Sequence, residues 1–181
     1  RRGTLRQNHR CPGRQTHRGE QKSGLSILVG TTRLTMNNPT APTVRFYVLP
    51  AGSGLENRLE LTCKLAEKAQ QEGFRTLIFC ADDNMAAQLD HALWHYRADS
   101  FLPHCRSGDP LENEAAVILA IPPERVSTCD VLINLSTETI PDLPRGCGRV
   151  FEIVSPQTDV LVATRSRYTA YRERGLEPHT H

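Results

Sequence analysis

No run of about 18 uninterrupted apolar residues occurs in the 181-residue chain, so the sequence offers no segment for a membrane-spanning helix. The phosphate-wrapping pattern GxxxxGK[ST] is missing, Gly52-Ser53-Gly54 lacks the third glycine of a dinucleotide fingerprint, and no GxSxG elbow presents a nucleophilic serine. The six cysteines contain no CxxC pair, which argues against a zinc knuckle or a thioredoxin-like centre. His104-Cys105 and His179-Thr180-His181 offer metal-binding side chains but no third and fourth ligand at a recognisable spacing. We therefore expect no metal, no cofactor and no catalytic set. Aromatic residues make up only 6% of the chain, too few for the row of stacking platforms that a single-strand nucleic-acid groove requires.

What charge there is falls unevenly. Residues 1–35 carry eight Arg or Lys against one acid, a net +7, while the rest carries fourteen against nineteen, a net −5. That is the wrong sign for a domain that holds DNA by its phosphates, and no direct DNA binding is expected of it. The basic stretch has no apolar periodicity and cannot bury enough surface to offset its ordering entropy. We read residues 1–42 as a disordered or non-native extension, with Met36 as the expected true start. A transit peptide or a basic nucleic-acid-binding arm is the functional alternative for that segment. Leu25-Ser26-Ile27-Leu28-Val29 is too short for the core of a secretory signal.

From Val44 onward strands and helices alternate. Apolar runs at Val44–Leu49, Thr76–Cys80, Ala115–Ile121, Val131–Leu135 and Val150–Val154 predict five strands, the continuous ones covered on both faces as in a parallel sheet. Leu55–Glu72, Asn84–Trp94 and a segment from Thr158 to Arg174 predict helices, with Gly73 and Gly175 as stops. The expected fold is α/β: a three-layer, Rossmann-like domain over residues 43–176 with a mainly parallel sheet of about five strands, followed by a flexible tail at 177–181. Cys63 and Cys80 fall inside an apolar helix and strand and read as small hydrophobes. Reduced buried thiols suit a cytoplasmic protein. Asn134-Leu135-Ser136 matches a glycosylation sequon but lies in a strand that reads as buried.

Two places could carry function. In parallel sheets ligands bind beyond the carboxyl ends of the strands, where Ser53 and the Asp82-Asp83 pair would sit. A nucleotide- or phosphate-binding enzyme using that edge is one reading, although adjacent acids at a helix entrance more often cap it. The other is the last helix, which carries Arg165, Arg167, Arg172 and Arg174. Helical spacing puts Arg165, Tyr168, Thr169 and Arg172 on one face. A ring between guanidinium groups can take an apolar side chain while the arginines pair with carboxylates, so an acidic peptide is the expected partner, against the plain alternative of a solvated helix surface. The sole tryptophan, Trp94, and nearby Phe101-Leu102-Pro103 form a second aromatic cluster, either closing the core or anchoring an interface.

Several segments occur together in a distinctive order: Phe46-Tyr47-Val48-Leu49, Leu89-Asp90-His91-Ala92-Leu93-Trp94, Ser100-Phe101-Leu102-Pro103-His104, Asp130-Val131-Leu132-Ile133-Asn134-Leu135 and Arg167-Tyr168-Thr169-Ala170-Tyr171-Arg172. From Val44 to Leu176 the chain resembles the chi subunit of bacterial DNA polymerase III holoenzyme. The resemblance implies a non-catalytic replisome adapter that joins the clamp loader, through the psi subunit, to the acidic C-terminal tail of single-stranded-DNA-binding protein. It implies that Arg165 meets the tail's terminal carboxylate, that Val154 and Tyr168 form an apolar pocket, that Arg172 meets further acidic residues, and that Thr169 belongs to the same tail-binding set. Family members can carry lysines where this chain has Leu161 and Thr169, which implies weaker or differently distributed tail binding. Trp94, Phe101, Leu102 and Pro103 are assigned by the resemblance to a surface for psi or for an XPD-like helicase. A bacterial, cytoplasmic, nucleoid-associated protein is expected.

Overall fold

A computed structural model describes residues 41–97, 101–124, 126, 128–138 and 143–181. The chain divides into two units, Arg1–Met36 and Asn37–His181, and every described residue belongs to the second. Residues 1–40 of the expected basic extension lie outside the described residues, as does Ser100.

All five expected strands form, within a residue or two of the expected limits: β1 (Thr43–Val48), β2 (Thr76–Phe79), β4 (Val117–Ala120), β5 (Val131–Asn134) and β6 (Arg149–Val154). Two further strands are too short and too polar to read from apolar pattern, β3 (His104–Arg106) and β7 (His179–Thr180). Among the described residues the sheet therefore has seven strands, ordered β3-β4-β2-β5-β6-β1-β7, and every pairing between them is parallel. β7 corrects the reading of residues 177–181 as a loose tail. Its backbone pairs with Arg45 and Phe46, and the His181 N–H donates to the Phe46 carbonyl at 2.8 Å.

The helices are α1 (Leu55–Gln71), α2 (Asp83–His95) and α3 (Thr158–Glu173). α1 and α2 lay Leu59, Cys63, Ala66, Leu89 and Leu93 against Ile78, Val117, Leu119, Ile133 and Ile153. The alternate strand residues Leu77, Ile118, Leu132, Val150 and Val154 point to the opposite side, where Tyr171 of α3 packs among them. This period-2 division of the same strands is why β2, β4 and β5 are buried on both faces and almost wholly apolar. Helix ends follow local chemistry. The Asp82 carboxylate accepts the Met85 N–H at 2.7 Å as the N-cap of α2. Gly73 adopts φ 78°, the left-handed step that lets the Phe74 N–H return to the Ala69 carbonyl at 2.9 Å and close α1. α3 begins after Gln157, whose side chain makes no capping hydrogen bond.

Candidate functional site

The orientation of α3 is set by charge in the middle of the domain. Glu152 interrupts the apolar run Val150–Val154 of β6 and is completely buried. Its carboxylate accepts Arg167 Nε at 3.1 and 3.0 Å, pairs with Arg167 Nη2 at 2.9 Å, and accepts the Tyr171 hydroxyl at 2.9 Å. The Asn134 amide donates to both of its oxygens at 3.2 Å. Asn134 is thus committed inside the sheet, as expected for an inaccessible sequon. Burial, followed by the Glu152 charge, raises the Tyr171 phenol above its ordinary value. Burial, followed by the Arg167 charge, lowers Arg58 from 12.5 to about 10, and its Nη2 donates to the Leu135 carbonyl at 2.9 Å. Of the four arginines on the last helix, Arg167 is thus buried and paired with Glu152.

With Val160, Thr164, Arg167 and Tyr171 turned inward, helical geometry turns Arg165, Tyr168, Thr169 and Arg172 outward. Arg165, Thr169 and Arg172 are exposed, and Tyr168 is 37% exposed. The Tyr168 ring leans on Phe46 of β1, with centroids 5.4 Å apart. Val154 is buried beneath, and its registered neighbour Val48 is 52% exposed. Thr169 Oγ1 donates to the Arg165 carbonyl at 3.2 Å, so its hydroxyl is tied to its own helix. The result is an apolar floor (Val48, Val154, Phe46 and Tyr168) edged by two exposed guanidinium groups. Sequence reasoning missed Phe46 and Val48. The signal was present in the β1 alternation, where Val44, Phe46 and Val48 share a face: Val44 and Phe46 are buried, Phe46 against Tyr168 and Tyr171, while Val48 is left exposed.

The second cluster is partly surface and partly core. Trp94 is 56% and Phe101 66% exposed, with ring centroids 5.8 Å apart. Trp94 also stands edge-on to His104 at 5.1 Å, and His104 is fixed by donating Nδ1–H to the Leu102 carbonyl at 2.7 Å. Leu102 is only 3% exposed and packs with Leu89 and Leu93. Its placement on the partner surface is corrected: the loop pins itself to the core through Leu102, which is what holds Phe101 out. Pro103 is half-buried, and its carbonyl accepts the Val117 N–H at 3.1 Å.

The model of the family described as DNA polymerase III chi subunit, HolC, matches residues 42–179. This chain belongs to the DNA polymerase III chi subunit family. Among similar proteins, the DNA polymerase III subunit chi of Pseudomonas aeruginosa is 35% identical over 138 residues, covering 76% of this chain and 94% of that one. The Escherichia coli subunit chi is 34% identical over 139 residues, covering 75% and 94%. Solved structures extend the likeness in fold alone. The Saccharomyces cerevisiae Dbp5 C-terminal domain bound to Gle1 and IP6 superposes with a TM-score of 0.52 at 10% identity, covering 78% of this chain and 90% of that one. A longer Dbp5 chain bound to Gle1 and IP6 gives 0.53 at 10% identity, and this chi-family chain spans 41% of its length.

The Ser53 and Asp82-Asp83 edge does not assemble in this chi-family chain. β1, which leads to Ser53, and β2, which leads to Asp82, lie three places apart in the sheet, about 14 Å at normal strand spacing. Asp82 caps α2, and Asp83 pairs with Arg106 at 2.8 Å. Among the described residues no group of three His, Cys, Asp or Glu is placed to hold a metal, and no helix is long and apolar enough to cross a membrane.

Proposed function

We propose that this chi-family chain is a non-catalytic adapter that links the clamp loader, through a psi subunit, to the acidic C-terminal tail of single-stranded-DNA-binding protein during DNA replication in the bacterial cytoplasm. The observation that supports the tail site is the exposed Arg165–Tyr168–Arg172 face of α3 beside an apolar floor, in a domain otherwise net acidic. A peptide ending in an apolar side chain with a free carboxylate matches both parts: the side chain covers Tyr168 and Val48 while Arg165 pairs with the carboxylate. Arg172 lies nearly two turns further along α3, 1.5 Å of rise per residue, in reach of acids upstream in the same peptide. With Leu161 and Thr169 uncharged, those two arginines carry the electrostatic part.

Trp94 and Phe101 form the second docking surface, for psi or for an XPD-like helicase. Two exposed, mutually packed rings anchored by a buried leucine have the make-up of an interface anchor.

The test is fluorescence anisotropy of a labelled peptide matching the acidic C-terminus of single-stranded-DNA-binding protein, titrated with the full chain. Arg165→Ala should weaken binding about tenfold to a hundredfold, the value of a charge-assisted bond to a carboxylate. Added salt should weaken the wild-type complex too. An Arg165→Ala affinity equal to wild type would remove the carboxylate assignment.

A further inference from the structure

Away from both exposed patches, two cysteines eighteen residues apart in sequence meet in the fold. Cys129 precedes β5 and Cys147 precedes β6, and these strands are neighbours. Just ahead of them Thr128 and Arg145 form an isolated parallel bridge, and the Cys129 N–H donates to the Arg145 carbonyl at 3.2 Å. Arg145-Gly146-Cys147 turns tightly, with the Cys147 N–H returning to the Pro144 carbonyl at 3.2 Å. Gly146 adopts φ 80°, and a Cβ there would sit 3.4 Å from the Cys129 carbonyl. The backbones at the two cysteines are therefore packed together, side by side at the mouths of the paired strands β5 and β6, and the Cys147 thiol donates to the Arg149 carbonyl at 3.4 Å.

The two sulfurs differ in the way a reacting pair needs. Cys129 is buried, whereas Cys147 is half-buried. Its neighbour Cys129 holds the Cys147 thiol below its ordinary value against the effect of burial. Cys147, with burial, raises Cys129. A more accessible thiol with a buried one behind it is the arrangement of an attacking and a resolving cysteine.

We propose that Cys147 and Cys129 form a dithiol oxidation site that closes to an intramolecular disulfide on meeting a low-molecular-weight disulfide such as oxidised glutathione. The Cys147 thiolate attacks one sulfur of the reagent, forming a mixed disulfide and expelling one glutathione thiolate, which takes up a proton. Cys129, losing its proton to solvent, then attacks the Cys147 sulfur and expels the second glutathione. The two protein thiols give up two electrons and two protons, and the reagent is reduced to two thiols. The bond ties the end of the connection that leads into β6 to the segment that leads into β5, across strands already paired.

The experiment uses the full chain, fully reduced, incubated with oxidised glutathione, quenched with acid and mapped by peptide mass spectrometry. The expected product joins the Cys129 and Cys147 peptides, two hydrogens and about 2 Da lighter than the sum of the reduced pair, whatever happens at Cys11 and Cys105. In Cys129→Ser, Cys147 should stop at the glutathione adduct; in Cys147→Ser, Cys129 should stay reduced. Three results each overturn the proposal: a stable wild-type adduct at Cys147 with no link to Cys129, linkage of either cysteine to another, or an unmodified Cys147. The wild-type map decides even if a variant fails to fold.

Discussion

Replacing Glu152 by glutamine tests the claim that a buried charge cluster sets the orientation of α3. The carboxylate receives donors from Arg167, Tyr171 and Asn134, the longest at 3.2 Å, in a spot closed to water. Glutamine keeps one acceptor oxygen but turns an NH2 group toward Arg167 or Asn134, so donor faces donor, and the buried guanidinium loses its counter-charge. Removing one member of a buried ion pair costs about 3–5 kcal/mol, a large part of the roughly 5–15 kcal/mol that holds a domain together. The pair itself need not be a net gain, because both ions were desolvated to make it. Glu152→Leu combined with Arg167→Met should therefore recover most of the loss seen in Glu152→Gln. Urea unfolding followed by far-ultraviolet circular dichroism measures all three chains. A Glu152→Gln loss under about 1 kcal/mol would mean that Arg167 finds solvent or another partner. A double variant worse than Glu152→Gln would mean that the cluster is needed for packing and not merely balanced. Either result would refute the reasoning. In the single variant, tail-peptide binding should weaken as well, since Arg165 and Tyr168 keep their places only while Arg167 and Tyr171 are held.

Leu102→Ala should cost about 2–5 kcal/mol in the same unfolding assay, the range for emptying a buried leucine site, whereas Trp94→Ala should change stability by under about 1 kcal/mol and act only on partner binding; equal losses would contradict the division of that loop into core and surface. Stability should also fall as pH rises above the ordinary thiol value of 9.0: burial pushes Cys63 and Cys80 up to about 12, and Tyr171 is raised as well. These groups keep their protons in the fold and lose them when unfolded, so their contribution is complete below their unfolded pKa values and declines above them. Arg58 works in the opposite sense above about pH 10, where the unfolded chain holds the proton more tightly. Urea midpoints measured from neutral pH to about pH 10.5 should drop, and a flat or rising profile would show that these groups are not closed off from solvent.

The central strands were legible because Thr76–Phe79, Val117–Ala120 and Val131–Asn134 are buried along their whole length, and burial on both faces leaves apolar runs interrupted only at the strand ends by Thr76 and Asn134. β3 and β7 were not, because edge strands need apolar residues on neither side and His104-Cys105-Arg106 or His179-Thr180 carry no pattern. The outward face of α3 followed from helical spacing alone, but the inward turn of Arg167 did not. It depends on a glutamate placed on β6, fifteen residues earlier in the chain, and no local rule couples them. Leu102 was misread for a related reason: a leucine between an exposed phenylalanine and a proline has no periodicity to say which way it points. The Cys129–Cys147 contact was hidden because spacing rules look for neighbours in sequence, while parallel β5 and β6 bring together residues that precede each strand.

The two short edge strands govern how the molecule behaves in company. A parallel sheet ends in rows of unpaired amides and carbonyls that can recruit other chains as further strands. Here one margin is β3, three residues long, and the other is β7, only two. β7 lies over the outer side of β1, which would otherwise offer a six-residue template. Neither margin is long enough to seed stacking of one copy on another. At high local concentration, strand-to-strand stacking is thus disfavoured, and the proposed surfaces on α3 and at Trp94 are where side chains would choose a partner.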